Sequence, residues 1–359
     1  MKKILMIGAF PNPITGLSIA NETLYEGLSK KYKVNKINTT KDDSFVDKKD
    51  IGKFKFSKFF KIIKNLISEM KIILSENYDV VYMTPGQSYL GFMRFAPYML
   101  CTIVKKKPYY IHIHGGFIRK MYDSQSKLKK KSIDFFLKRL EGVIVLGDSL
   151  RAMFKNLVPE EKIFVCENGV QDEFIATESE IKEKLKRMEK DTKQRILYLS
   201  NLMEEKGILD LLKVSESFTD DEIEFNLAGA MEPSIKHIVK KYLDKYPKKI
   251  KYHGIVRGKE KKKLLLKNYT FVLPSQDEGQ PLSILEAYLN ECYVITDPNI
   301  GGIKDIFEDE INGYKCKAKN IESILEALKK KKREFANYTL GIDKYKSNDF
   351  IGRVEKIIC

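Results

Sequence analysis

The sequence predicts an α/β chain of two doubly wound parallel-sheet domains facing a central cleft. Three observations predict it. Short apolar runs alternate with segments of helical period, first from Ile4 to Leu146 and again from Arg195 to Thr296. The length of 359 residues suits two domains. The charge character also changes midway: residues 1–170 hold 30 Lys+Arg against 16 Asp+Glu, whereas 171–359 hold 35 against 33.

In the first half, Ile4–Gly8 reads as a buried strand, followed by a Gly/Pro-rich loop to Gly16 and a helix over Ser18–Lys31. Strands are predicted at Val34–Asn38, Asp79–Thr84, Tyr109–His112 and Val143–Leu146, with mostly helical segments between them. This defines a first domain over 1–172. Residues 173–192 are charged and hold no buried strand, so they read as an interdomain connection with one exposed helix. A second βα series fills 193–337, with strands at Arg195–Leu199, Glu224–Ala228, Lys251–His253, Phe271–Leu273 and Tyr293–Thr296. Its helices start at Gly207, Pro233, Lys259, Pro281 and near Ile303. The tail, 338–359, is expected as a helix with the apolar residues Phe350, Val354 and Ile357, packing back on the first domain. The lysines at 329–333 read as a solvated helix end.

Several classes are disfavoured. No stretch approaches the ~20 apolar residues that span a bilayer; Leu90–Val104 is interrupted by Arg94 and Pro97. The N-terminal run is too short for a secretion signal and fits a first strand. Five scattered cysteines without a CxxC suggest neither a disulfide framework nor a zinc site, and fit a reducing cytoplasm. The net charge of +16 would suit nucleic acid, an anionic leaflet or a phosphorylated substrate. No nucleic-acid-binding signature accompanies it. The loop Gly8–Gly16 is not GxGxxG, which argues against a NAD-linked oxidoreductase.

Four motifs carry chemistry. DEGQPLSILEA at 277–287 sets Glu278 and Glu286 eight positions apart, about 80° out of register and ~12 Å along a helix. Pro281 suits a first helical turn, so Glu278 lies in the loop before the helix and Glu286 within it. The free N–H groups there favour an anion. A surface helix with two unrelated glutamates is the bland alternative. RILYLSNLMEEKGILDLL at 195–212 puts Lys206 and Gly207 at a helix start, where a lysine can neutralise a diphosphate; a surface Lys-Gly turn is equally compatible. IHIHGG at 111–116 puts His112 and His114 on one strand face, His114 at its carboxyl end. No nearby acid or cysteine completes a metal set. CENGVQDEF at 166–174 marks a tight turn at the handover between halves.

Together, and in the chain order glycine loop, HG, NGV, KG and E-x7-E, these motifs resemble the family-4 glycosyltransferases of GT-B fold; NIGGIKDIF at 299–307 is similar to the family's Gly-Gly loop. The resemblance implies retaining transfer of a sugar from a nucleotide diphosphate donor, UDP being the commoner choice. It implies that Lys206 and Gly207 hold the diphosphate, Glu278 contacts the donor sugar and Glu286 the ribose. Gly279, Gln280, Pro281 and Leu282 would complete the donor loop, with Gly301 and Gly302 nearby. Gly16 would admit the diphosphate closely, and His114 would bind the transferred sugar. The family usually has Gly-Arg where this chain has Ser200-Asn201, so Asn201 offers hydrogen bonds without charge. Gln280-Pro281 replaces the commoner Phe-Gly. No metal or other cofactor is expected. Arg119 and Lys120, after the HGG, are candidate contacts for an acceptor phosphate.

The segment Lys48–Leu74 holds eight lysines against two acids, with Phe56, Phe59, Phe60, Ile63, Ile67, Met70 and Leu74 at helical spacing. Such a helix can lie on an anionic leaflet or simply pack on the sheet. Lys127–Arg139 is a second basic segment, expected mainly to pack. The leading expectation is a glycosyltransferase of surface-polysaccharide synthesis, peripheral on the inner membrane face, using a lipid-linked saccharide acceptor. The alternatives are a nucleotide-sugar epimerase of the same architecture and a non-catalytic partner subunit.

Overall fold

A computed structural model describes residues 1–12, 14–40, 56–330 and 342–359, without the side chains of 56–63 and 342–343. Phe56, Phe59, Phe60 and Ile63 of the basic segment therefore lie outside the described side chains, and residues 48–55 and 338–341 outside the described residues. The chain divides into two compact units, Met1–Asn168 with Asn348–Cys359, and Gly169–Ser347.

The first unit runs β1 (Lys3–Gly8), α1 (Gly16–Ser29), β2 (Lys33–Asn38), α2 (Phe56–Ser75), β3 (Val80–Met83), α3 (Tyr89–Met93), α4 (Ala96–Val104), β4 (Tyr109–Ile113), α5 (Ile118–Asp123), α6 (Lys127–Leu137), β5 (Gly142–Val145) and β6 (Ile163–Val165). The strands pair in parallel in the order β2-β1-β3-β4-β5-β6. Central strands are buried on both faces, which is why they read as unbroken apolar runs. One face packs β1 residues Leu5 and Ile7 under Ile73 of α2, Met99 of α4 and Ile133 of α6. The other packs Ile4 and Met6 under Leu24 of α1 and Phe350 of the terminal helix. α1 starts where it does because Thr15 and Ser18 cap each other reciprocally, at 2.8 and 3.1 Å.

The second unit runs α7 (Glu178–Lys190), β7 (Gln194–Leu199), α8 (Ile208–Val214), β8 (Ile223–Ala228), α9 (Lys236–Lys245), β9 (Ile250–Tyr252), α10 (Gly258–Lys267), β10 (Thr270–Leu273), α11 (Leu282–Tyr288), β11 (Tyr293–Thr296), β12 (Gly313–Lys315) and α12 (Ile321–Lys329). Its sheet order is β12-β11-β10-β7-β8-β9. The chain reverses direction across the sheet between β7 and β10, a crevice position where such sheets bind ligands. The last helix, α13 (Ser347–Ile358), belongs to the first unit.

Several expectations need correction. β6 and β12 were not expected; each is a three-residue edge strand, too short to show a period. The helix expected near Ile303 is one 3-10 turn, Gly301–Asp305. α7, expected as an exposed linker helix, packs within the second unit. Its Lys184 is fully buried, donating to the carbonyls of Leu265 (2.9 Å) and Asn290 (2.6 Å) and lying 3.1 Å from Cys292 Sγ. The unit boundary accordingly falls at Gly169 rather than after residue 172. On α13 the deepest residues are Phe350, Val354 and Ile358, with Ile357 only flanking them.

Candidate functional site

In the second unit, the loops leaving β7, β10 and β11 converge. The β7 loop runs through a 3-10 turn, Glu204–Lys206, into Gly207, which has φ +75°. A Cβ on Gly207 would lie 2.4 Å from the Pro274 carbonyl oxygen, so glycine is needed both for the turn and for its approach to the β10 loop. Gln276 N–H donates to the Glu205 carbonyl at 2.9 Å. Tyr198, buried on β7, donates its hydroxyl to the carbonyls of Asn201 (3.0 Å) and Lys206 (3.3 Å). The two loops are therefore strapped together before any ligand arrives.

That strapping brings Lys206 to Glu278. Lys206 Nζ lies 2.8 Å from Glu278 Oε1 and 2.7 Å from the Asp277 carbonyl oxygen. Burial pushes the Glu278 carboxyl up, and the Lys206 ammonium opposes the shift. The third loop closes on the same segment. Gly302 N–H donates to the Gly279 carbonyl at 2.6 Å, and Gly301, at φ +53°, stands where a Cβ would lie 1.8 Å from the Glu278 carbonyl oxygen. Gln280 is buried, Pro281 caps α11 rather than occupying its first turn, and Leu282 is its first residue. Asn201 is exposed on the β7 loop.

Glu286 lies one turn into α11, buried. Its Oε1 takes a 2.5 Å ion pair from Lys261 of α10, and its Oε2 is buried without a hydrogen-bond partner. Burial raises this carboxyl too, with Lys261 opposing. Lys261 Nζ also sits 4.4 Å from the centre of the Phe174 ring. Lys261 escaped the sequence reading because it stands in the run Lys261–Lys263, which looks solvated. The available signal was its spacing: three and four residues before Leu264 and Leu265, it shares the apolar face of α10.

In the first unit, Gly16 opens α1 behind the Thr15 cap. Asn21 Nδ2 ties that loop to β3, donating to the Ala9 carbonyl (2.8 Å) and Thr84 Oγ1 (2.9 Å). His114 follows β4, its ring 4.1 Å from that of His112, whose Nδ1 meets the Tyr82 hydroxyl at 2.7 Å. Both Nε2 atoms are buried without a partner. Burial holds His114 down to about 4 and His112 well below the usual range, so both are neutral at pH 7. Gln87, another residue the motifs did not reveal, clamps this turn: its Oε1 accepts from Phe117 N–H at 2.6 Å, and its amide fills the space a Gly115 Cβ would need. Arg119 pairs with Asp123 at 2.9 Å and donates to the Lys155 carbonyl at 2.8 Å, which bolts α5 to the segment after β5. Lys120 is exposed, 5.4 Å from the Phe117 ring centre.

Comparison with known proteins bears on the family and the fold. Residues 179–334 match the family model for glycosyl transferases group 1. A Staphylococcus aureus (strain COL) protein, poly(ribitol-phosphate) alpha-N-acetylglucosaminyltransferase, is 27% identical over 247 residues, 65% of this chain and 45% of that relative. The chain thus spans less than half the length of this curated relative. Among solved structures, Anabaena Alr3699/HepE in complex with UDP and glucose superposes with a TM-score of 0.70 at 13% identity, covering 99% of both chains. The sucrose-phosphate synthase of Thermosynechococcus elongatus gives 0.69 at 13% identity, covering 100% of this chain and 95% of that one. The fold of the two units is GT-B.

Proposed function

We propose that this chain, whose residues 179–334 match the model for glycosyl transferases group 1 and whose units have the GT-B fold, transfers a sugar, with retention, from a nucleotide diphosphate sugar to a saccharide acceptor. The observation that carries the reading is the Lys206–Glu278 pair, held at 2.8 Å by three converging loops. Lys206 turns its ammonium from the carboxylate to the incoming diphosphate, and Glu278, released, accepts hydroxyls of the donor sugar. Gly207, Gly279 and Gly301 keep the backbone close to that group. Glu286 is half-engaged: Lys261 fixes Oε1, while the buried Oε2 has an acceptor position to fill, which suits a ribose hydroxyl. His114, neutral and with Nε2 unpartnered, is assigned to the transferred sugar.

In the reaction, the bond from the anomeric carbon to the diphosphate oxygen breaks and one to the acceptor oxygen forms on the same face. The acceptor's proton passes to the leaving phosphate oxygen. Lys206, once turned to the bound diphosphate, stabilises the charge growing on it as the bond breaks. No step in this scheme requires a metal ion. UDP is the favoured nucleotide, since it is bound by the Anabaena protein of the same fold. A lipid-linked saccharide of surface-polymer synthesis is the proposed acceptor, which would bring the chain to the inner face of a membrane. Lys206→Ala tests the assignment: turnover should fall about 10²–10³-fold. Donor hydrolysis and transfer at near-normal rates in that variant would refute it.

A further inference from the structure

The helices α2, α3, α4 and α6 form one layer on one face of the first sheet, their inner sides merged in a single core. Their outer sides are unusual. On α2, the exposed stripe at i, i+3, i+7 and i+10 reads Lys64, Ile67, Lys71, Leu74. On α6 and its C-cap, the same spacing reads Leu128, Lys131, Phe135, Lys138. Leu90 on α3 and Leu128 are 78% and 79% exposed, and Val104, at the end of α4 beside Lys105–Lys107, is 72% exposed. By contrast, among the described residues neither α1 nor α13, which cover the opposite face, exposes a large apolar side chain. An ordinary solvated surface would scatter such residues over both faces.

The charge on this layer is one-sided as well. Between Lys64 and Ser75 the only acid of α2 is Glu69, which accepts the Tyr98 hydroxyl at 2.6 Å; the only acid of α6 is Asp134, which accepts the Tyr122 hydroxyl at 2.9 Å. α3 and α4 carry none. Both acids are thus engaged with neighbouring helices, and the lysines face outward. α3 and α6 are joined at this surface, Tyr89 Oη lying 3.2 Å from Ser132 Oγ and Lys129 Nζ 4.8 Å from the Tyr89 ring centre. Leu90 and Leu128 therefore stand on two helices that touch each other, Leu128 within the run Lys127–Lys131 and Lys129 over the ring next to Leu90 in the chain.

We propose that this layer is a membrane-docking face: Leu90, Leu128 and Val104 enter the headgroup region of an anionic leaflet while the interleaved lysines meet its phosphates. A soluble polyanion would be served by lysines alone and gains nothing from exposed leucines; a neutral apolar partner gains nothing from the lysines. The bilayer interface rewards both at once. The inference deepens the proposed membrane-borne acceptor, and rests on that reading only for its purpose.

The test is co-sedimentation of the full chain with vesicles of phosphatidylcholine alone and of phosphatidylcholine mixed with phosphatidylglycerol. Binding is expected only to the anionic vesicles and should weaken with salt. Leu90→Ser with Leu128→Ser should weaken it at least about tenfold, and Lys131→Gln with Lys138→Gln about fivefold per lysine. Lys30→Gln, at the end of α1 on the opposite face, should leave it unchanged. The proposal is overturned by absence of binding, by equal binding to both vesicles, or by an equal effect of Lys30→Gln. It is also overturned if the leucine variants bind normally while a soluble phosphate polymer displaces the chain. Hydrolysis of UDP-sugars is measured without vesicles: a chain that docks but turns over no nucleotide sugar refutes the donor assignment alone, and one that turns over but does not dock refutes this face alone.

Discussion

Lys261→Met isolates the electrostatic work done beside Glu286. The substitution keeps most of the aliphatic stem and removes the ammonium 2.5 Å from Oε1. Oε2 is already without a partner, so the variant leaves a buried carboxylate with neither oxygen compensated. Removing one member of a buried ion pair costs about 3–5 kcal/mol. Lys261 keeps 15% side-chain exposure, so some water reaches the gap and the lower end, about 3 kcal/mol, is expected. Glu286 can escape by taking a proton, and burial already raises its pKa in the parent chain. A carboxyl raised above its unfolded value is most favourable to the fold when protonated. Its contribution is full below the unfolded pKa and is lost as pH rises through the folded one. The deficit of Lys261→Met should therefore be small near pH 5 and grow toward pH 8. Thermal and urea unfolding at both pH values measures it. Adding Glu286→Gln, which removes the charge, should recover most of the loss at the higher pH. Equal deficits at both pH values, or a double variant no more stable than the single, would sink the reasoning.

Gly301→Ala should lose donor binding, because its Cβ would collide with the Glu278 carbonyl at 1.8 Å in addition to the cost of φ +53°. Gly254→Ala has a similar φ, +68°, but nothing within 4 Å, so it should cost only about 1–2 kcal/mol of stability and leave turnover intact; nucleotide titration calorimetry on both separates collision from strain. His114 gives a pH signature of the opposite sign to Glu286. With its folded pKa depressed to about 4 by burial, its contribution is full above the unfolded value near ~6.5 and is lost as pH falls from there toward 4. His114→Asn should flatten that acid slope by at most about 3 kcal/mol; an unchanged slope would show that the ring is solvated.

Much of this architecture is legible in one sequence because parallel strands buried on both faces must be apolar without interruption. Ile4–Gly8, Val143–Leu146 and Tyr293–Thr296 announce themselves for that reason. Edge strands bury less and are short, so Ile163–Val165 and Gly313–Lys315 leave no period to read. The motif residues Lys206, Glu278, Gly301 and Gly302 were legible as residue types in a given order. That the first two touch, and that the glycines press on the same backbone segment, is a matter of three loops far apart in the chain.

Composition, charge asymmetry and apolar rhythm by themselves determined two doubly wound units and an excess of lysine in the first half. They could not say which lysine of a run is buried, because neighbours in sequence differ by 100° around a helix and only packing selects one of them. Tertiary structure decided that Lys184 is buried beneath carbonyls, that Lys261 meets Glu286, and that the lysines of α2 and α6 share their outward faces with exposed leucine, isoleucine and phenylalanine. The physical reason is the same in each case: a charge is defined by what surrounds it, and the surroundings come from distant parts of the chain.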